Sequence, residues 1–249
     1  MIDLHSHILP GVDDGPATLE ESLDIARSAA DEGVRVIAAT PHVRDDYPTQ
    51  PATMERLVAD LRAAIQREGI AIDVRPGAEI AIDWLGRLAD EDLVRFGLGG
   101  SPHYLLLEFP YAGWPLSLHE WVFRLVTRQI TPVIAHPERN AEVQANPEEL
   151  RPLVDAGALV QITAASLDGR VGRSSRAAGM TLIESGLAHL LASDAHTPDV
   201  REAGLLAAFE AVGDPELARW LTLEVPMAIV TDAPLPRRPE SRKRGFLRR

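Results

Sequence analysis

Ile2-Asp3-Leu4-His5-Ser6-His7-Ile8-Leu9-Pro10-Gly11-Val12-Asp13-Asp14-Gly15-Pro16 opens the chain with a short apolar run that ends in two histidines and then a turn. On an extended segment residues i and i+2 point the same way, so His5 and His7 can meet one ion. Asp3 is placed to fix a ring tautomer as an acceptor behind them. Asp, Gly and Pro together mark a tight turn, and a carboxylate from this turn gains interest by following the histidine pair so closely. Taken alone, an H-x-H pair is common and a plain structural reading competes with a functional one.

Working outward, the same arrangement recurs at Ala39-Thr40-Pro41-His42, Gly77-Ala78-Glu79, Leu107-Glu108-Phe109-Pro110, Ala135-His136-Pro137 and Ser193-Asp194-Ala195-His196. Imidazole and carboxylate suit divalent ions such as zinc, iron and manganese. Each motif has a blander reading: His42 as an ordinary loop residue, Glu79 and Glu108 as salt-bridge partners of arginines. Together they place His5, His7, His42, Glu79, Glu108, His136, Asp194 and His196, with a carboxylate of the Asp13-Asp14 turn, where strands end and loops begin. Arg139, three residues past His136, is a side chain that grips two phosphate oxygens in a fork, unless it simply pairs with Glu138 or Glu142. Arg201 follows at the next helix start. His103, His119 and His189 do not fit the pattern.

The runs carrying these motifs are Ile2–Leu4, Val34–Ala39, Ile72–Arg75, Tyr104–Glu108, Thr131–Ala135, Leu159–Thr163 and His189–Ser193, apolar without strict alternation, as in strands buried on both faces. Between them lie helix-like stretches at Thr18–Glu32, Met54–Glu68, Glu148–Ala156 and Arg173–Ser185, with Gly33 and Gly186 as left-handed C-terminal caps. Repeated βα units predict an α/β fold of parallel strands. A sheet curled into a barrel is preferred to an open one, because one site can collect so many strand ends only if the sheet closes. Residues 1–236 read as a single domain and 237–249 as a basic, flexible tail.

The chain has 249 residues, 45% of them hydrophobic, and no cysteine, which excludes a cysteinyl-phosphate mechanism and a disulfide framework. Its net charge of −12 divides into +6 for the tail and −18 for the body. An acidic body argues against nucleic-acid binding; the tail is expected to be a solvated end, with contact to an anionic surface or acidic partner as the alternative. No apolar run reaches the roughly 20 residues of a membrane span, and the N-terminus lacks the pattern of a secretory signal. A cytoplasmic protein is expected.

With its opening segment and the A-T-P-H, G-A-E, L-L-E-F-P, A-H-P-E-R and S-D-A-H motifs, the chain resembles the polymerase-and-histidinol-phosphatase (PHP) superfamily. It is most similar to the bacterial CpsB/CapC-type tyrosine-protein phosphatases of capsule and exopolysaccharide synthesis, over residues 1 to about 230. The resemblance implies a distorted (β/α)7 barrel of the PHP, TIM-like type and three divalent metal ions, manganese or else iron, cobalt or zinc. It implies His5, His7, Glu79 and Asp194 on one ion, Glu79, Glu108 and His136 on a second, and Asp14, His42 and His196 on a third, with Arg139 and Arg201 contacting phosphate. The activity so implied is metal-dependent hydrolysis of phosphotyrosine on a protein, a bacterial tyrosine autokinase being the expected partner. A small-molecule phosphatase acting on histidinol phosphate or a nucleotide, and a non-catalytic metal-binding docking module, are the competing readings.

Overall fold

Nine short strands, every pair of them parallel, organise the molecule: β1 Ile2–Ser6, β2 Val36–Ala39, β3 His42–Val43, β4 Asp73–Pro76, β5 Glu79–Ala81, β6 Tyr104–Glu108, β7 Thr131–Ala135, β8 Leu159–Thr163 and β9 Leu190–Ala192. The structure is a computed structural model that describes residues 1–197 and 204–240. Arg201 and tail residues 241–249 lie outside the described residues. One sheet has the order β1-β2-β4 and the other β3-β5-β6-β7-β8-β9. Leu4, Ile37, Leu106, Ile134, Ile162 and Leu191 are buried in one apolar core, as the strands' lack of alternation requires.

Two of the expected strands, those at Val34–Ala39 and Ile72–Arg75, are each followed by a short further strand that the sequence reading did not expect. Pro41 ends β2 because it has no N–H for the ladder, and β3 resumes at His42. Next to it, β4 stops at Pro76 and β5 resumes at Glu79. A Cβ at Gly77 would lie 3.3 Å from Thr40 Cγ2, so the glycine allows the two broken strands to stay close. Both breaks have the same length: Ala39 pairs with Pro76, and three residues on in each strand His42 pairs with Glu79. The kink thus sets two expected site residues side by side.

The outer strands of the two sheets also meet. Ser6 forms an isolated parallel bridge with Ala195, supported by His7 N donating to Ala195 O and Asp194 N to His5 O, both at 2.8 Å. The two sheets therefore meet at this seam through a bridge and not a continuous ladder, and with the breaks at β2/β3 and β4/β5 the sheet is not the closed barrel expected.

Leu19–Asp31 is helical, started by a capping box in which Thr18 and Glu21 satisfy each other's backbone N–H groups, and Gly33 follows with φ 90°. Pro51–Glu68 and Arg173–Glu184 also form as helices. The stretch expected as a helix over Glu148–Ala156 is instead a 3-10 turn, Pro147–Leu150, then a short α-helix, Arg151–Asp155, because prolines 147 and 152 restrict the chain to first-turn positions. Arg238, read from sequence as part of the tail, donates to Ala188 O and Ile183 O and lies over the Trp220 ring. No helix among the described residues is long and apolar enough to cross a membrane.

Candidate metal centre

The C-terminal ends of these strands bring all nine sequence-derived candidates to one place. His5, His7, Glu79, His136, Asp194, His42 and His196 are buried, whereas Glu108 and Asp14 face the opening. His5 Nε2 and His7 Nε2 lie 3.3 Å apart, and each sits 3.3–3.4 Å from Glu79 Oε2 and 3.4 Å from Asp194 Oδ1. Five of the six separations among these four donor atoms are thus 3.3–3.4 Å, close enough for imidazole and carboxylate to share a divalent cation. Asp14 Oδ1 is 3.5 Å from His42 Nε2 and 3.3 Å from His196 Nε2, and with His7 these form a second donor group. His5, Glu79 and His136 form a third, and His42, Glu79 and Glu108 a fourth. Glu79 is common to the last two.

Charge makes a cation-free cluster unfavourable. Glu79 Oε2 and Asp194 Oδ2 are buried carboxylate oxygens, 2.9 Å from His42 Nδ1 and 2.7 Å from Arg139 Nη1 respectively, and buried carboxylates are costly unless their charge is compensated. The donor set and its spacing fit divalent metal ions.

The backbone is strained where it presents two of these side chains. His136 has φ 37° and Asp194 φ 54°, left-handed conformations that non-glycine residues seldom adopt. The Asp13–Gly15 turn folds tightly onto β1: a Cβ at Gly15 would lie 2.1 Å from His7 O, so only glycine allows the approach. That approach delivers Asp13 to His7 Nδ1, which donates to its carboxylate at 2.7 Å.

Electrostatics follow from this crowding. Burial works against the charge of Glu79, but His5, His136 and His42 outweigh it and hold the carboxyl well below its usual range. Asp194 is likewise lowered, burial being overcome by His5 and Arg139. Asp14 is lowered against partial burial by His196. His5 is raised because Glu79 and Asp194 overcome burial, and His7 because the Asp13 contact does so. Burial keeps His136 below the usual imidazole value, and burial with the nearby Glu79 charge raises Glu108.

Arg139 is almost fully buried, with Nη1 2.7 Å from Asp194 Oδ2, and against burial its charge is secured by Asp194, Glu138 and the Tyr111 hydroxyl. Glu138 turns inward, where its Oε1 accepts from Thr163 N and Ser166 Oγ, so it anchors the turn at the end of β8. The three excluded histidines stay apart from the cluster. His103 pairs with Asp232, His119 is exposed near Trp114, and His189 accepts from Val160 N with its pKa pushed down to about 4 by burial and Arg238.

Sequence reasoning missed the side chains that aim the cluster. Asp3 does not orient a ring: its carboxylate accepts from the backbone N–H groups of His5 and Ser193, tying β1 to β9. Burial pushes its pKa up to about 6. The rings are oriented by Asp13, on His7, and by Gln161, whose Oε1 accepts from His5 Nδ1 at 3.0 Å and from His136 N at 3.3 Å. Arg44 was also missed; its Nη1 donates to Glu108 Oε1 at 2.6 Å. Asp13 stood beside a chosen residue and was within reach of a closer reading. Gln161 and Arg44 carried no local signal.

Parallel strands whose ends gather imidazoles and carboxylates around a shared cavity define a metal-centred α/β protein. Residues 1–227 match the family described as capsular polysaccharide synthesis, CpsB/CapC, and the chain belongs to it. It is 39% identical over 204 residues to tyrosine-protein phosphatase YwqE of Bacillus subtilis (strain 168), covering 81% of this chain and 79% of that protein. With tyrosine-protein phosphatase CpsB of Streptococcus pneumoniae it shares 28% identity over 243 residues, 93% of this chain and 99% of the relative. A solved structure from work on YwqE and CpsB, described as unique metal-dependent tyrosine phosphatases, superposes with a TM-score of 0.86 at 33% identity, covering 97% of this chain and 100% of that one. A β-aspartyl dipeptidase from Fervidobacterium islandicum-AW-1, at TM-score 0.56 and 16% identity over 92% of this chain and 72% of its own, shares the fold alone.

Proposed function

We propose that this protein is a metal-dependent phosphatase that hydrolyses phosphotyrosine on a protein, a bacterial tyrosine autokinase of capsule or exopolysaccharide synthesis in the cytoplasm. The observation that carries the reading is the shell of His5, His7, Glu79 and Asp194 with the Arg139 guanidinium against it. The names of the relatives and of the solved structure point the same way.

In this reading the nine side chains hold three divalent cations, manganese being the expected one. His5, His7, Glu79 and Asp194 take the first, Glu79, Glu108 and His136 the second, and Asp14, His42 and His196 the third. In the structure Glu108 groups with His42 and Glu79 while its Oε1 accepts from Arg44. When bound, the cations supply Lewis acidity toward the phosphoryl oxygens and lower the pKa of water toward neutrality.

The chain's own residues do the rest. Asp13 and Gln161 accept from the Nδ1–H of His7 and His5, which leaves both Nε2 lone pairs facing inward. Arg139 keeps its charge at every working pH and neutralises non-bridging oxygens as negative charge builds up on them. Arg201 is the second phosphate contact. Residues 1–236 form the catalytic unit, Arg238 packs back on it, and the positive charge of segment 237–249 suits an anionic surface or acidic partner.

Purified protein assayed on a phosphotyrosyl peptide, histidinol phosphate and a nucleotide, with manganese and then with excess chelator, tests the reading. Peptide turnover that needs metal is expected. Preference for either metabolite overturns the protein-substrate assignment, and turnover that survives the chelator overturns the metal-dependent mechanism.

A further inference from the structure

The candidate metal centre opens into a cavity of only ≈ 150 Å³, lined by seven of its nine side chains, His5 and His7 lying behind, together with Arg44 and Tyr111. That is the volume of about five waters. A phosphoryl group and its attacking water fill it, so the ring that leaves must lie elsewhere. Directly alongside, sharing Glu108 as a common wall, runs a groove of ≈ 500 Å³, in the size range of ligand sites. Its walls are mainly apolar: Ile82, Pro110, Ala112, Trp114 and Pro115.

The groove is built in fixed relation to Arg139. Asn140, the next residue, donates from Nδ2 to Pro110 O at 2.8 Å and to Gly113 O at 3.1 Å. Ala141 N donates to Tyr111 O, and Gly113 N to the Glu142 carboxylate. The loop from Pro110 to Gly113 is thus pinned to the same turn that carries His136 and Arg139. Trp114 is braced edge-on against the buried Phe109, ring centres 5.5 Å apart. At the mouth Tyr111, 58% exposed, lies parallel to the His136 ring and offers its outer side.

We infer that this groove is the subsite for the aromatic ring of phosphotyrosine and the neighbouring residue of its polypeptide, a deepening that rests on the phosphatase reading above. A phenyl ring alone would leave most of the groove empty. A polar metabolite would find few hydrogen-bonding partners there, since Asp83, Ser117 and the shared Glu108 are the polar side chains among its walls.

The test uses the full-length, manganese-loaded protein with a phosphotyrosyl peptide as substrate and inorganic phosphate as competitive inhibitor. Trp114→Ala and Ala112→Arg are the variants; position 112 is exposed, so the second change leaves the core intact. Each is expected to raise KM for the peptide about tenfold, the scale of a lost aromatic contact, while Ki for phosphate moves less than threefold. A KM unaltered in both variants, or KM and Ki rising together, overturns the subsite. So does a concentration-dependent dimer that Ala112→Arg abolishes without altering KM, which would make the groove a self-association face. Wild-type protein that turns over no phosphomonoester rejects the phosphatase reading and the subsite with it, whereas normal turnover indifferent to both variants rejects the subsite alone.

Discussion

Replacing Gln161 with leucine removes one acceptor that serves two distant residues. Gln161 is fully buried on β8, and its Oε1 accepts from the His5 ring Nδ1 and from the backbone N of His136. His136 N also donates to Gln161 O at 3.0 Å, so that backbone group keeps a partner in the variant. His5 Nδ1 does not. Its N–H would be buried without an acceptor, which costs about 1–3 kcal/mol, or the proton would move to Nε2 and block the nitrogen that faces the cluster. Either route weakens the cation site, and loss of such an orienting partner lowers metal affinity by about 10–100-fold. Competition against a chromophoric chelator at pH 7.5 measures the affinity directly, without recourse to activity. Gln161→Glu keeps an acceptor at the same place and is expected to stay within about threefold of wild type. Leucine-variant protein that binds manganese within twofold of wild type, while folded, would refute the argument that Gln161 sets the His5 tautomer.

Two further outcomes are expected. Arg139→Ala should lower turnover of a phosphotyrosyl peptide about a hundredfold, near 3 kcal/mol of transition-state stabilisation, and Arg139→Lys should recover only part because an ammonium lacks the planar fork; steady-state kinetics at matched metal content checks both, and full turnover in the alanine variant removes Arg139 from the reaction. Metal affinity should fall on acidification. His5 and His7 have raised pKa values without metal, so protonation stabilises the cation-free fold below the usual imidazole value and that contribution fades as pH rises through the raised values. Glu79 and Asp194, being lowered, stay ionised throughout this window and lose their contribution only as pH falls through their depressed values. Each histidine proton expelled by a cation therefore weakens apparent affinity about tenfold per pH unit below its pKa. Chelator competition at pH 6, 7 and 8 reads the slope, and a flat profile would contradict a histidine-built centre.

Much of this architecture is local and so could be read along the chain. Apolar runs without alternation announce buried parallel strands, and ligand-type side chains at their ends announce a rim, because strand burial and side-chain direction depend on neighbours only a few residues away. The turn at Asp13–Gly15 and the cap at Gly33 follow from residue type in the same way. Helix 148–156 went astray on periodicity that two prolines overrule.

What tertiary structure alone decided are the contacts across long sequence gaps. His42 faces Glu79 because two adjacent strands break in step, Gln161 reaches His5 across 156 residues, and Arg44 holds Glu108 across 64. None of these leaves a mark on its own segment: a glutamine inside an apolar strand, or an arginine after a histidine, has many possible partners until the chain closes and fixes which one lies within hydrogen-bond reach. The left-handed backbone at His136 and Asp194 belongs here too, since only surrounding contacts can hold non-glycine residues in that conformation.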